Sequence, residues 1–472
     1  MVEGKRDETV RSELFARFPA YAQKVIDRLE AAGHEAWAVG GWVRDALRGV
    51  EGHDVDVTTS ASWQQSASVL RAAGMAVHET GTAHGTITAV CDGAPVEVTT
   101  YRVEGGYSDH RHPDEVRFVR NVEEDLARRD LTINAMAWHP VRGLLDPFGG
   151  REDLADRTVR AVGDPQTRFN EDALRVLRAV RFSVRLGFSI DARTQAALVS
   201  CAPLLALVAQ ERIGQELDAI VRMGKAGTAL LEQPEVMCQA LPELAPCHGF
   251  DQRSVYHVYD VYEHIAHVCN ACEAFTAGLA RPELQWAALL HDVGKPPMFS
   301  QDVDGHGHFF QHPQEGAHMA RKIMRRLSIP ASVTDATALL IRLHDERIPA
   351  TPRAIRRLLR RFSHECAGRE TALAFALFNL CRADAVSKAP SVAGWASELD
   401  QYSSLLRKEV QAGPVFGVKQ LAVNGADVMR ECGMRPGPGV GMQLDMLLAA
   451  VVADEVSRSR EDQLAWLRAG SR

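Results

Sequence analysis

Asp54-Val55-Asp56 places two carboxylates two residues apart in a run, DVDVTT, that alternates as a strand does. Positions i and i+2 of a strand point to the same side. The pair is therefore predicted to stand together, and two carboxylates side by side suit Mg²⁺. Divalent ions held there activate a hydroxyl nucleophile, bridge a triphosphate and stabilise departing pyrophosphate. Nine residues before Asp54 ends the string Val39-Gly40-Gly41-Trp42-Val43-Arg44-Asp45. Glycines at 40 and 41, following a strand, let the backbone approach a phosphate closely, and the helix after them offers N–H donors and the positive end of its dipole. A Gly-Gly pair alone is common, and a lone D-x-D is often two solvated loop acids. Their order and spacing make the combination a triphosphate site.

A second group lies in the middle of the chain: His257, His264, His291-Asp292, His312, His318, His344-Asp345 and Asp384. His257 and His264 are seven apart, close to one face of a helix. LQWAALLHDVGKP puts a His-Asp doublet at the end of an apolar helix, where both side chains reach inward. Imidazole and carboxylate together suit a transition metal, and an open site of that kind activates water for phosphate-ester hydrolysis. A single histidine on an apolar face is ordinarily a packed residue; six histidines and three aspartates in this arrangement point to a metal.

The elements that must position these groups change character along the chain. From about 34 to 150 the runs EAWAVGG, DVDVTT, GTITAV, PVEVTTYR and EVRFV read as strands, mixed with helices such as Trp63–Ala73. From about 151 strand signals nearly vanish, and EDALRVLRAVRFSVRLGF opens a series of helical segments that runs to the end. Breaks are predicted near Pro147–Gly150, Pro242–Asp251 and Ala389–Ser391, with a glycine/proline loop at Met434–Gly441.

The totals exclude several classes. A chain of 472 residues with 46% apolar residues builds two to four packed domains and is neither disordered nor fibrous. No apolar stretch is long enough to span a membrane, and the N-terminal run has no hydrophobic signal segment, which predicts a cytoplasmic protein with no membrane partner. Nine cysteines, an odd number, suggest no disulfide framework, and Cys269 and Cys272 read as core residues of a helix. The net charge of −7 argues mildly against a nucleic-acid partner, but phosphate attraction depends on local surface. Arg353, Arg356, Arg357, Arg360 and Arg361 recur at helical spacing and are predicted to form such a basic face; a solvated helix face is the plainer reading.

GGWVRDALRGVEGHDVDVTT closely resembles the active-site signature of the class II tRNA nucleotidyltransferase and bacterial poly(A) polymerase family, whose head resembles the palm of DNA polymerase β. The resemblance continues in order through GTAHGTITAV, VEVTTYR, ARRDLTINAMAW, LLDPFGGREDL, EDALRVLRAVRFSVRLGF and ERIGQEL; it is dense from about 36 to 220 and less complete beyond. It implies an α+β fold, a polymerase-β-like nucleotidyltransferase head (1–150) followed by an elongated all-α neck and body (151–250), an HD-type domain (251–390) and a helical tail that grips tRNA (391–472). It implies template-independent addition of C and A to the 3′ end of tRNA from CTP and ATP with Mg²⁺, releasing pyrophosphate, and no obligate protein partner. An A-adding, CC-adding or poly(A)-making enzyme shares these motifs, and a main activity in the HD-type domain is a reading from a different class.

Carried over residue by residue, Asp54 and Asp56 hold the metals, Gly40, Gly41, Arg44 and Asp45 form the triphosphate loop, and Arg129 and Asp130 meet the sugar. Thr132 and Asn134 read as caps of a helix beginning there, and Glu97 as either a third metal carboxylate or part of a structural charge pair. In E-D-x-x-R, Asp172 and Arg175 lie three apart and share a helix face. The aspartate accepts from the exocyclic amine of cytosine or adenine and the arginine donates to the adjacent ring acceptor. Glu171 fixes Arg175, and Arg178 is a further phosphate or base-side partner. The stretch TTYRVEGGYSDHRHPDEVRFV, with Asp109, Arg111 and Pro113, resembles the loop that family members need to add the final A. The middle segment resembles an HD phosphohydrolase domain, with signature H…HD…D at His264, His291, Asp292 and Asp384, His257 as the rival first histidine, and His318 and His344 as ligands of a second ion. In some relatives such a domain hydrolyses 2′,3′-cyclic phosphates or 2′-nucleotides; in others it is a scaffold.

Overall fold

The computed structural model describes residues 12–52, 54–105, 115–276, 281–392, 394–413 and 415–470. Two compact units are formed, one of the residues up to Glu216 with Glu235–Ala240, the other of Leu217–Pro234 with the residues from Leu241 onward.

The first unit opens on a seven-stranded mixed sheet in the order Ala76–Gly81, Thr86–Cys91, Ala94–Thr100, Asp56–Thr59, Ala36–Val39, Ala137–His139, Gly143–Leu145. Alternation dictates the pairing. In Thr86–Cys91 the buried positions are Ile87, Ala89 and Cys91, and these turn to the same core as Val96 and Val98 of the next strand. Helices Ala20–Ala31 and Trp63–Ala72 cover that face, the second started by a capping box in which Ser62 and Gln65 exchange hydrogen bonds. Phe18 packs on Trp138 and Trp42 with ring centroids 4.6 and 5.0 Å apart, joining the N-terminal segment to the sheet and to the helix after Gly40-Gly41. In Asp56–Thr59 the central position of the sheet buries Val57, Thr58 and Thr59 and leaves Asp56 accessible at the strand's start. That strand runs antiparallel to Ala36–Val39, with Val39 opposite Asp56, and parallel to Ala94–Thr100, with Asp56 opposite Glu97. Arg102–Gly105 pairs with Glu115–Phe118, while Asp109, Arg111 and Pro113 lie outside the described residues. Helices Pro165–Glu171, Leu174–Leu186 and Ala192–Cys201 follow, with the start of Gln210–Arg222 as far as Glu216. Gly187, at φ 66°, ends the second of them in the left-handed conformation that a glycine takes freely.

The second unit is almost wholly helical. Cys269 and Cys272 are buried on Val261–Thr276, as expected of core cysteines. The basic face predicted for Thr351–Phe362 is kept only in part, with Arg357 exposed on it. Arg356 is buried and bonded to Glu409 and Asp454, Arg353 pairs with Glu455, Arg361 with Glu346, and Arg360 donates to the Asp445 carbonyl. Helical spacing does not reveal that acids elsewhere in the chain pair with Arg353, Arg356 and Arg361. A separate small core of Val428, Leu444, Leu447, Leu448, Val451 and Leu467 holds helices Gly425–Cys432, Pro438–Val452 and Arg460–Ala469.

Candidate functional site

Two candidate sites form, one in each unit. In the first, Gly40 stands between the strand Ala36–Val39 and the helix Gly41–Leu47 at φ 72°. A Cβ there would meet Arg129 Nη1 at 3.1 Å and lie 3.8 Å from Asp56 Oδ2. The missing side chain thus brings backbone, guanidinium and carboxylate together. Asp54 and Asp56 flank the buried Val55 and are both exposed, but the strand begins only at Asp56, so Asp54 stands in the chain just before it and not on the strand that alternation predicts. Burial, and then Glu97, push the Asp56 carboxyl up from 3.8 to about 6; Arg129 opposes this and Asp54 adds to it. Asp56 keeps accessible surface, but it does so inside a crowded cleft, where desolvation outweighs each single charge. Glu97 and Asp54 repel the Asp56 carboxylate while Arg129 offsets them in part, and carboxylate oxygens of this kind fit Mg²⁺.

That strain has a measurable consequence. A folded state that holds a proton more tightly than the unfolded chain loses stability as pH rises through the window from about 4 to about 6, and the loss persists above it. Asparagine has no charge to desolvate. Asp56→Asn is therefore expected to raise the Tm of the metal-free protein at about pH 7 and to lose that advantage below about pH 4. Scanning calorimetry at the two pH values checks this, and an unchanged Tm at the higher pH contradicts it.

The cleft around Asp56 has a volume of about 550 Å³ and is lined by eight arginines. Such a cationic wall is fit for a triphosphate. Arg44 is buried; its Nε and Nη2 donate to the two Asp45 carboxylate oxygens at 3.0 and 2.7 Å, and its Nη1 donates to Asn134 Oδ1 at 2.6 Å. Phe182 lies beneath the guanidinium groups of Arg44, Arg178 and Arg181, at 5.2, 5.7 and 4.5 Å from the ring centroid. Asp130 accepts from Arg178 Nε and Nη2 at 2.8 and 2.7 Å. Burial pushes the Asp130 carboxyl up, but Arg178 prevails and holds it at about 2. Thr132 and Asn134 are not helix caps. Their segment is one 3₁₀ turn behind Leu131, and both side chains are buried: Thr132 donates to Asp153, and Asn134 is bonded to Arg44 and Asp130. A buried polar side chain takes the partner that its tertiary neighbours offer.

Asp172 and Arg175 line the same cleft but do not sit on one continuous helix. The chain leaves the helix at Asp172 (φ −137°, ψ 104°), between Pro165–Glu171 and Leu174–Leu186. Asp172 Oδ1 accepts the Leu174 N–H at 3.1 Å. By this local bond an aspartate starts a helix at the expense of continuing one. Glu171 Oε2 accepts from Arg175 Nη1 at 2.6 Å and from Arg168 Nη1 at 2.7 Å, and Arg175 Nη2 donates to the Arg128 carbonyl. The spacing of E-D-x-x-R thus identified the Glu171–Arg175 pair. It did not reveal Arg212, which grips both Asp172 oxygens at 3.2 and 2.9 Å, or Glu216, which accepts from Arg181 Nε at 2.5 Å. Arg212 and Glu216 fall in ERIGQEL, four apart on one helix face, and that spacing is the signal that could have found them.

In the second unit the structure brings together His264, His291, Asp292 and Asp384, all buried. His264 Nε2 lies 3.0 Å from Asp384 Oδ1 and 3.5 Å from Asp292 Oδ2, and His291 Nε2 lies 3.2 Å from Asp292 Oδ2. On the other side of Asp292, its Oδ1 is 3.4 Å from His312 Nε2 and 3.8 Å from His344 Nε2. His318 does not join them. It lies beyond His312 on the helix His312–Arg326, on another face, and is exposed. His312 occupies the place expected of it. His257 lies beside His264, ring centroids 5.2 Å apart, and lines the cavity without approaching Asp292 as closely as the others.

His291, His312 and His344 share one device: each Nδ1 sits 2.7 to 2.9 Å from the carbonyl three residues before it, Ala288, Phe309 and Ile341. A carbonyl can only accept, so Nδ1 carries the proton and Nε2 is left as a lone pair facing Asp292. Lys295 approaches Asp292 Oδ2 to 2.7 Å, yet neither Asp292 oxygen nor His291 Nε2 receives a well-directed hydrogen bond. Burial pushes His344 down to about 3, whereas Asp292 draws His291 upward against burial. Buried ligand atoms in two groups, His264-His291-Asp292 and Asp292-His312-His344, with both Asp292 oxygens and His291 Nε2 unsatisfied, fit one or two divalent ions sharing Asp292. Among the described residues no helix is long and apolar enough to cross a membrane.

Residues 36–160 match the Poly A polymerase head domain, 187–247 the probable RNA and SrmB-binding site of polymerase A, and 255–387 the HD domain. The CCA-adding enzyme of Geobacillus kaustophilus (strain HTA426) is 35% identical over 445 residues, 94% of this chain and 95% of that enzyme. The crystal structure of the Bacillus stearothermophilus CCA-adding enzyme in complex with CTP aligns with a TM-score of 0.72 at 31% identity, covering 96% of this chain and 97% of that one. A Thermotoga maritima CCA-adding enzyme complexed with tRNA aligns with a TM-score of 0.59 over 98% of each chain; at 18% identity it shows the fold alone.

Proposed function

The chain belongs to the family of CCA-adding enzymes, and on that premise we propose that it builds the CCA end of tRNA from CTP and ATP, releasing pyrophosphate. The observation that carries this reading is convergence. Asp56, with Asp54 beside it, opens on the same arginine-walled cleft as Asp172 and Arg175, so metal-binding carboxylates, triphosphate cations and a base-reading pair share one chamber.

Asp54 and Asp56 would hold Mg²⁺, which when bound neutralises the triphosphate and lowers the pKa of the attacking 3′-hydroxyl. The remaining work belongs to the chain. Gly40 and Gly41 let the triphosphate lie against the backbone, and the arginines of the wall pair with its oxygens. Arg44 is held ready by Asp45 and Asn134. Arg129 faces the sugar, and Asp130, fixed as a carboxylate by Arg178, accepts from a ribose 2′-hydroxyl and so favours an NTP over a dNTP. Asp172 accepts from the exocyclic amine of cytosine or adenine, and Arg175, steadied by Glu171, donates to the ring acceptor. UTP and GTP offer the opposite pattern at that edge. Arg212 shares Asp172 with the base, holding the carboxylate in place between turnovers. Residues 1–150 would then do the chemistry, 151–250 choose the base and carry the RNA, 251–390 form the HD-type domain and 391–472 hold the tRNA. The enzyme would work in the cytoplasm. The lengths of the products made on tRNA lacking CCA test the reading.

The histidine cluster favours a second activity. We infer that it binds divalent metal and hydrolyses phosphoesters, such as the 2′,3′-cyclic phosphate of a damaged 3′ end. A scaffold would not leave both oxygens of a fully buried aspartate without a well-directed hydrogen bond beside an equally unsatisfied His291 Nε2. Calorimetric titration of the metal-free protein with Mn²⁺ checks the metal. Asp292→Asn is expected to abolish binding at the cluster, and Asp54→Asn to leave it intact; wild-type binding confined to the head contradicts the inference.

A further inference from the structure

The cavity beside the histidine cluster carries a second set of groups that the cluster does not use. Ser300–Gln301 and Gly307–His308 form a hairpin whose turn begins at Asp302, and Asp302 and His308 both line the cavity. Asp302 Oδ1 accepts the backbone N–H of Asp304 at 3.0 Å and of His306 at 2.9 Å, which fixes the carboxylate in the turn. Its Oδ2 lies 2.8 Å from His308 Nε2. The His308 ring stacks on Phe310 with centroids 5.4 Å apart and planes inclined by 9°. This imidazole is thus held at one edge by a carboxylate and on one face by a ring. It lines the same cavity, of about 620 Å³, as Asp292, His312 and His344. With Nε2 committed to Asp302, Nδ1 is the second proton site.

We propose that the Asp302–His308 pair delivers the proton to the leaving oxygen of a phosphoester hydrolysed in this cavity, so that the site serves esters with an alkoxide leaving group; the proposal rests on the hydrolase reading of the histidine cluster. Water oxygen forms the new P–O bond, the ester P–O bond breaks, and the Nδ1 proton of the His308 imidazolium passes to the departing alkoxide. The proton lost by the attacking water goes to solvent, and His308 recovers one from solvent. Asp302 holds the ring by its Nε2 edge, the role a carboxylate plays behind a catalytic imidazole.

The test compares two diesters on the full-length protein loaded with Mn²⁺. In 2′,3′-cyclic CMP the leaving group is an alkoxide that needs a proton; in bis(p-nitrophenyl) phosphate it is a phenolate that does not. His308→Ala is expected to lower kcat/KM on the cyclic ester by about 100-fold or more and on the aryl ester by less than about threefold. Asp302→Asn should show the same selectivity with a smaller loss. A readout apart from turnover is Mn²⁺ titration of the metal-free protein, in which His308→Ala keeps the stoichiometry and affinity of the wild type. Equal losses on both esters, an undiminished rate on the cyclic ester, or a lost metal equivalent overturns the proposal while leaving the hydrolase reading intact. Hydrolysis of neither ester by the wild type overturns that reading, and the proposal with it.

Discussion

Asp54→Ala and Asp56→Ala are each expected to abolish nucleotide addition, lowering kcat by three decades or more while tRNA binding and the folded state persist. Phosphoryl-type transfer leaves little for a protein to do beyond positioning and charge stabilisation, and metal ions contribute several kcal/mol of it. At about 1.36 kcal/mol per decade, about 4 kcal/mol is about three decades. Both side chains are accessible, so their removal opens no cavity, and for Asp56 it also relieves the repulsion from Glu97. The fold should therefore survive, which separates this outcome from a trivial loss. Single-turnover incorporation of labelled CTP, with filter binding of tRNA alongside, checks it. Full activity in either variant contradicts the assignment of the metal carboxylates.

Asp172→Ala is expected to remove base selection in place of catalysis. A bidentate contact discriminates by about 1–3 kcal/mol, or roughly one to two decades per wrong base. The variant should lose that much in kcat/KM for CTP and ATP, while UTP and GTP, which gain nothing from the carboxylate, change little. It also strands Arg212, whose bidentate partner is Asp172. For that reason Arg212→Ala should blur selection in the same direction and by less, because the carboxylate remains but is no longer aimed. Competition between CTP and UTP at the first added position measures both. An unchanged preference in Asp172→Ala contradicts the assignment of the base-reading pair.

The groups proposed to perform the chemistry were largely legible in the residues because their spacing is local. Val55 is buried between the exposed Asp54 and Asp56, and Glu171 meets Arg175 at the spacing that E-D-x-x-R offered, although the chain leaves the helix between them at Asp172. The His-Asp doublet at 291–292 closes an apolar helix and turns inward, as its position implied. What local reasoning missed depended on partners distant in the chain. Arg212 finds Asp172 across 40 residues, and Arg44 finds Asn134 across 90, which is why Asn134 was misread as a cap. On Pro352–Glu365, Arg353, Arg356 and Arg361 pair with acids that helical spacing alone does not reveal. Helix phase accounts for the exchange of His318 for His312. Both lie on one helix, and only the packing of its first turn against Asp292 shows which of them faces inward. The break at Asp172 was hidden for the opposite reason. Its cause is local, an aspartate bonding the N–H two residues on, but a side chain of that type does so only where the tertiary structure allows the helix to stop.

Whether one chamber reads both bases and stops after three additions is decided by the product ladder on a tRNA transcript ending before CCA. With Mg²⁺ and CTP alone, a stop after two additions is expected; with CTP and ATP together, a stop after three. Addition of A only to a CC-ended transcript, long A tails, or no incorporation at all would contradict that expectation.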